Sequence, residues 1–417
     1  MKHIPIAIFA FFSLLTLFIS FVFNYDISGG GSTSDFETHW KYIKILNSDL
    51  NNLFNIELGK DFKLLNFPLH HIIFSRLDFI VSTKEIYLLS FFIFSLFLPL
   101  IFYLNCKILY KDIPFNKLLN LSLIIFLLPN FQSSAIWGNN HITALFFFVI
   151  AIFFLNKLKL KINDSDKFNI LLSLTFLTFA SYTRQYYIIF FPFFLLEIYA
   201  SRGFKNLIFI FFTLVFLSIP GFIFLVNNPK VITGYQMMDI TDLKSSVIIV
   251  LSMISIYLIP FYLVNFKKNI EETVKILSNK NTLSILIILF LILIYFCSNF
   301  YYQGSIGGGV IHKLSFYVMG NNIILFAFSL IGLFLLFFYK NNTINYYMLI
   351  IPLLFSFSSG FFIFQKYFEP LMIFIFILFF NKEKIKEILN KNFIFINIYF
   401  IFYWSMYYFY SIGKFSI

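Results

Sequence analysis

The sequence predicts an all-α protein, a polytopic transmembrane helical bundle of about thirteen spans with an amphipathic helix in its first outer loop. Three observations predict it. Hydrophobic residues make up 60% of the 417 and charged residues 12%, against about half and about a quarter in ordinary globular chains. The apolar residues come in blocks of about 20, the length that crosses a bilayer at 1.5 Å rise per residue. Only short polar segments separate the blocks, so the spanning segment is the unit of organisation. Residues 1–417 are read as a single integral membrane domain.

The first block, Ile4 to Phe23, lacks a small-x-small cleavage site and is read as a retained span. The longest outer segment follows, residues 24–84, and in it Phe36, Trp40, Ile43, Leu46, Leu50 and Leu53 recur at steps of three or four. That is the period of an amphipathic helix. It follows a span and carries Lys41 and Lys44 beside Trp40, so its expected place is the membrane interface. Between Lys167 and Arg202 one long helix would put basic residues on both sides of the membrane. Two short spans hinged at Ser181 to Gln185 avoid this. A glycine-rich outer loop occupies residues 299–319.

The net charge of +12 is topological and implies no nucleic-acid partner, because Lys and Arg of membrane proteins collect in cytoplasmic loops. The basic groups are Lys107, Lys111 and Lys117; Lys157, Lys159, Lys161 and Lys167; Arg202 and Lys205; Lys267, Lys268, Lys275 and Lys280; and Lys382, Lys384, Lys386 and Lys391. The late loops between them carry isolated cations: Arg184, Lys230, Lys244, Lys313 and Lys366. The lipid bilayer is thus the first partner, and the short basic loops without targeting or retrieval signals point to a bacterial inner membrane. Cys106 and Cys297 make neither a disulfide framework nor a zinc site.

Ionisable groups in or beside hydrocarbon cost at least a few kcal/mol, so each requires a partner or a function. Five clusters stand out on the outer side. Ser34-Asp35-Phe36-Glu37-Thr38-His39 opens the amphipathic helix, with Asp35 and His39 on one face; its bland reading is a capping box of Ser34 with Glu37. Asn66-Phe67-Pro68-Leu69-His70-His71 with Arg76 leads to the second span, and adjacent histidines face different ways, which disfavours a two-histidine metal site. Trp137-Gly138-Asn139-Asn140-His141 opens the fourth span, where His141 would ordinarily be a capping or hydrogen-bonded residue. Tyr182-Thr183-Arg184-Gln185 puts a lone guanidinium between apolar runs; it either snorkels or takes a phosphate bidentately. Gly304 to Gly309 with His312 and Lys313 could cradle phosphate, and Lys366 with Glu369, ahead of a kinking Pro370, could be an ion pair.

This order of segments resembles the GT-C superfamily of membrane glycosyltransferases, which use polyprenyl-phosphate-linked sugars. Its first-outer-loop acid is matched by Ser34-Asp35-Phe36-Glu37-Thr38-His39, and its small-polar motif by Gly138-Asn139-Asn140-His141. Within the superfamily, the dolichyl-phosphate-glucose-dependent α-1,2-glucosyltransferases have motifs similar to Arg184-Gln185 and to Gly308-Gly309-Val310-Ile311-His312-Lys313. Gln365-Lys366-Tyr367-Phe368-Glu369-Pro370 is a looser match to their last motif, with Tyr367 in place of its histidine, and His141 stands where a second acid is found.

The resemblance implies transfer of a hexose from a polyprenyl-phosphate-sugar donor to a lipid-linked or envelope glycan acceptor, on the non-cytoplasmic, periplasmic face. Asp35, Glu37 and His39 are the candidate catalytic residues, with Asp35 as general base on the acceptor hydroxyl. Arg184, Gln185, His312, Lys313, Lys366, Glu369, His141 and His70 are the candidates for binding substrate and its phosphate as charge builds on it. A divalent cation near Asp35 and Glu37 is left open, and no other cofactor is implied. Two other classes stay in view: a flippase or transporter for a lipid-linked glycan, which should show polar groups at mid-membrane and repeated halves, and an O-antigen-type polymerase or ligase, which should show a large arginine-bearing late loop.

Overall fold

The computed structural model describes residues 4–27, 31–53, 67–160, 166–227, 240–302, 307–339, 363–391 and 393–415, with positions 350, 352 and 356. Asn66, Lys161, Lys230, Gly304, Ser305 and Ile306 lie outside these residues. Among the described residues the chain is all-helical, without a strand.

Among the described residues five helical segments are long and apolar enough to cross a bilayer: Lys84–Leu109, Asn140–Lys159, Leu207–Asn227, Leu243–Val264 and Lys280–Ser298. A sixth arises if Phe115–Leu127 and Pro129–Ile136, bent by 70°, are one span. The bend has a local cause: Leu128 before Pro129 is extended, with ψ 115°, as the residue preceding proline prefers. Among the described residues five or six helices are thus able to span a membrane, compatible with a multi-pass chain, where blocks of apolar sequence suggest about thirteen. Other blocks give shorter apolar helical stretches, Ala7–Val22, Ile323–Tyr339 and Ile394–Phe409, the first and last lying within the helices Ile4–Val22 and Ile394–Phe415.

The chain divides into two compact units, residues 1–235 with 400–417, and residues 236–399. In the first, α1 (Ile4–Val22), α2 (Gly31–Ser48), α3 (Leu69–Ser75), α4 (Lys84–Ser95) and α5 (Phe97–Leu109) precede α6 (Phe115–Leu123), α7 (Pro129–Ile136), α8 (Asn140–Lys159), α9 (Asp166–Thr183), α10 (Phe191–Arg202) and α11 (Leu207–Asn227). The centre is the antiparallel pair α8 and α9, with Phe147 against Phe179 at 5.5 Å and Ser173 Oγ donating to the Ala151 carbonyl at 3.1 Å. Asn105 on α5 donates to the Val149 carbonyl at 3.1 Å and accepts from Asn156 at 3.2 Å, so buried amides stitch α5 to α8. Gln132 on α7 donates to Thr16 on α1 at 3.2 Å. Its carbonyl accepts from Trp404 Nε1 of the last helix at 3.0 Å.

A helix of 20 residues, such as α8, is about 30 Å long, the thickness of a hydrocarbon core. Its ends differ. At one, Lys159 pairs with Glu197 at 2.7 Å, and Arg202 with Asp166 at 2.8 Å. At the other lie Asn140 and His141, level with Thr183 and Arg184 at the end of α9.

The amphipathic helix expected in the first outer loop forms as α2. Its apolar stripe does not face lipid: Phe36, Trp40, Ile43 and Leu46 are all buried, packed on α3 and on aromatic rings such as Tyr87, 5.6 Å from Trp40. The Ser34–Glu37 capping box is not made either, because α2 begins at Gly31 and both residues already lie inside it.

In the second unit, α12 (Ile240–Val264), α13 (Phe266–Ser278), α14 (Lys280–Ser298), α15 (Gly309–Met319) and α16 (Ile323–Tyr339) precede α17 (Leu371–Phe379) and α18 (Lys382–Asn390), and α19 (Ile394–Phe415) closes the chain. α12 and α16 approach so closely that a Cβ on Gly332 would lie 2.1 Å from the Leu251 carbonyl oxygen, the kind of contact that small residues permit between membrane helices. α17 is buried along its whole length. Lys384 on α18 pairs with Glu272 on α13 at 2.8 Å, and Lys268 pairs with Glu387.

Candidate functional site

Three separate stretches of the first unit meet at the Asn140 end of α8: α3, the turn 137–139 and the end of α9. α9 stops at Thr183, and Arg184 is extended, with φ −143° and ψ 110°, before a 3-10 turn of Gln185–Phe190. This is the break expected between Ser181 and Gln185. It places the Arg184 guanidinium, 9% exposed, against His141 Nε2. A guanidinium only donates, so His141 accepts at Nε2 and carries its proton on Nδ1, 3.5 Å from the Tyr186 hydroxyl.

The protonation of His70 also follows from its partners. Tyr87 Oη donates its one proton to the Gly138 carbonyl at 2.8 Å, so at 3.2 Å it receives the His70 Nε2 proton. His70 Nδ1 then accepts from Thr143 Oγ1 at 2.9 Å. His70 is accordingly neutral, and burial, then the neighbouring His71, then Arg184 all push its pKa well below the usual histidine value. His71 pairs with His39, whose Nδ1 is 2.9 Å from its Nε2. Burial, reinforced by Arg184, lowers the His71 pKa to about 3. The adjacent histidines do not face apart as expected: their rings lie 5.2 Å from each other and 5.6 and 5.1 Å from the His39 ring. No group of three or more His, Cys, Asp or Glu able to hold a metal ion occurs among the described residues.

The turn that carries the site needs glycine at Gly138. Its φ is +61°, and a Cβ there would meet Tyr87 Cε1 at 2.4 Å. On either side stand polar side chains without protein partners: Trp137 Nε1 and both amide atoms of Asn139 and Asn140 are buried and make no hydrogen bond. Asn139, at the N-cap of α8, does not cap it with its side chain. Buried polar atoms are almost always satisfied, so five in three nearby residues mark a place shaped for something the protein itself does not supply.

The acids are arranged otherwise than the sequence suggests. Asp35 lies half-exposed on α2, one turn before the buried His39, and Glu37 is exposed and paired with Lys84 at 2.8 Å. The acid buried near the start of α2 is Asp26, 4% exposed. It accepts from the Ser32 and Thr33 amides at 3.0 and 3.1 Å, from Thr33 Oγ1 at 3.1 Å, and from Ser133 on α7. Sequence reading passed over it, as it passed over Tyr87 and Thr143. An acid just ahead of a helix is a recognisable capping signal, but nothing local marks Ser133 as its partner.

His312, Lys313, Lys366 and Glu369 belong to the second unit. There Gly307, Gly308 and Gly309 all have positive φ and lead into α15. Val310, whose amide a phosphate would need, donates to Gln365 Oε1 at 3.0 Å, and Gln365 in turn donates to Tyr257 at 3.0 Å. The glycine-rich turn is therefore partly capped by the chain itself. His312 is half-buried, its pKa lowered by burial and by Lys313. Lys313 is exposed, Lys366 is half-buried with its Nζ 5.1 Å from the Phe364 ring, and Glu369 is buried.

No protein-family model, curated protein or solved structure matches the chain.

Proposed function

We propose that the chain is a multi-pass membrane glycosyltransferase of GT-C type, moving a hexose from a polyprenyl-phosphate-linked donor to a lipid-linked or envelope glycan on the non-cytoplasmic face. In this reading the shorter apolar helices complete a bundle approaching thirteen spans. The observation that carries it is the buried Arg184–His141 contact beside the partnerless amides of Asn139 and Asn140 and the indole N–H of Trp137. A guanidinium at the positive end of a 20-residue helix favours a phosphate. Amides offer both donors and acceptors, which is what sugar hydroxyls require.

Sidedness supports the same reading. The site occupies the end of α8 opposite Lys157, Lys159 and Arg202, and basic clusters mark the cytoplasm. Arg184 and His141 bind the donor phosphate and stabilise its charge as the sugar leaves. His70 holds the turn 137–139 in place through Tyr87. Asp35 serves as general base on the acceptor, with His39 one turn away on the same helix.

The test is transfer from labelled polyprenyl-phosphate hexoses in membranes carrying Arg184→Lys, Arg184→Ala or Asp35→Asn. Loss of a buried charge partner to the developing anion should lower the rate about 10²–10³-fold, with Lys only partly restoring what a planar guanidinium supplies. Undiminished transfer by Arg184→Ala would overturn the proposal.

A further inference from the structure

α13 runs Phe266–Ser278 between two spans, with a single residue at each junction: α12 ends at Val264 and α14 begins at Lys280. Such short links cannot carry α13 away from the membrane surface where those spans emerge. Its side chains sort by direction. Asn269 is buried against the unit, bonded to the Tyr262 carbonyl at 2.6 Å, and Glu272 reaches Lys384. Phe266, Ile270, Val274 and Leu277 are instead 53%, 41%, 60% and 40% exposed. At 100° per residue these four fall within an arc of about 80°. Lys267 borders that arc, and Glu271 and Lys275 lie beyond it.

An open apolar stripe with charged residues on its far side has one natural neighbour here. Four half-exposed side chains fall well short of the roughly 800 Å² per partner of a specific protein interface. The adjoining span α14, by contrast, exposes Ile287, Ile288, Leu291 and Ile294 at 47–60%, the apolar face a span turns to lipid, so the helix to which α13 is joined already has lipid as its natural neighbour. We infer that α13 is an interfacial anchor, its Phe266–Ile270–Val274–Leu277 stripe sunk between the lipids of the leaflet where α12 and α14 emerge, and its charged face turned to water. The character expected of α2 from sequence thus falls to α13. The inference does not depend on the activity proposed above.

Val274→Cys, Ile270→Cys and Glu271→Cys, each in a Cys297→Ser background, test it after nitroxide labelling of the full chain in vesicles of phosphatidylcholine and phosphatidylglycerol. The remaining Cys106 is fully buried. Collision rates with oxygen, which enriches in lipid, and with a water-soluble nickel chelate are compared. The oxygen-to-nickel ratio should be several-fold higher at 274 and 270 than at 271, and should approach that of a label at Ile288. Equal ratios at 274 and 271 would place the stripe in water. Shielding of 274 and 270 from both reagents would put a second copy or another protein over it. Either result overturns the inference.

Discussion

Asp26 accepts four hydrogen bonds with its two carboxylate oxygens: the amides of Ser32 and Thr33, the Thr33 hydroxyl, and Ser133 on α7. The first two satisfy donors that the start of α2 would otherwise leave open. Asp26→Ala should therefore destabilise the protein by about 2–4 kcal/mol, the sum of a lost cap and a stranded buried donor, read as a fall in thermal unfolding temperature in detergent. Asp35→Ala, at a half-exposed position, should change that temperature little while removing transfer. The pair of variants separates an acid that builds the first unit from one proposed to act in it. The same contrast shows what a sequence carries. Arg184, His141 and the Trp137–Asn140 turn were legible because lone polar groups between apolar runs are conspicuous. Asp26 was not, because its partner on α7 is 107 residues away and no spacing rule joins them.

At the level of helices, the period of apolar residues identified α2 correctly but could not say what the stripe would touch. α2 and α13 both carry one; α2 buries it on α3, whereas α13 leaves it open. The difference lies in the neighbours, which local periodicity does not encode. Long spans were equally readable, while short apolar helices and breaks at Pro129 and Arg184 blurred the count, since a block of apolar letters does not record where a helix bends. Close approach is another property of pairs. Gly332 stands where α16 meets the backbone of α12, and Gly332→Ala should push the two apart at a cost of about 1–3 kcal/mol. Thermal unfolding of the variant measures it, with Gly320→Ala a poor control because its φ is +64°, and Ala327→Gly the better one.

Across the whole molecule, the two buried histidines of α3 tie stability to pH. Both have folded pKa values below the ordinary 6.5, His71 at about 3. The unfolded chain therefore takes up protons first as pH falls. Their contribution is fully present above about pH 6.5 and is lost progressively below it, by about 1.4 kcal/mol per pH unit for each histidine. Unfolding temperatures in detergent should fall between pH 6.5 and 4, and the fall should be shallower in His71→Asn. Equal slopes in the two proteins would show that His71 takes up its proton in the folded state.

The indole of Trp404 reaches back to Gln132 across 272 residues of sequence, and this fixes an order of events during synthesis. Gln132 emerges from the ribosome long before its last partner exists. At about 5–20 residues per second the wait is roughly 15–50 s. Over that interval the amide is held by Thr16, Ser20 and the Phe126 carbonyl, all earlier in the chain, and only the indole donor to its oxygen is missing. A nascent chain arrested before Phe400 should be the form most readily claimed by membrane quality-control proteases.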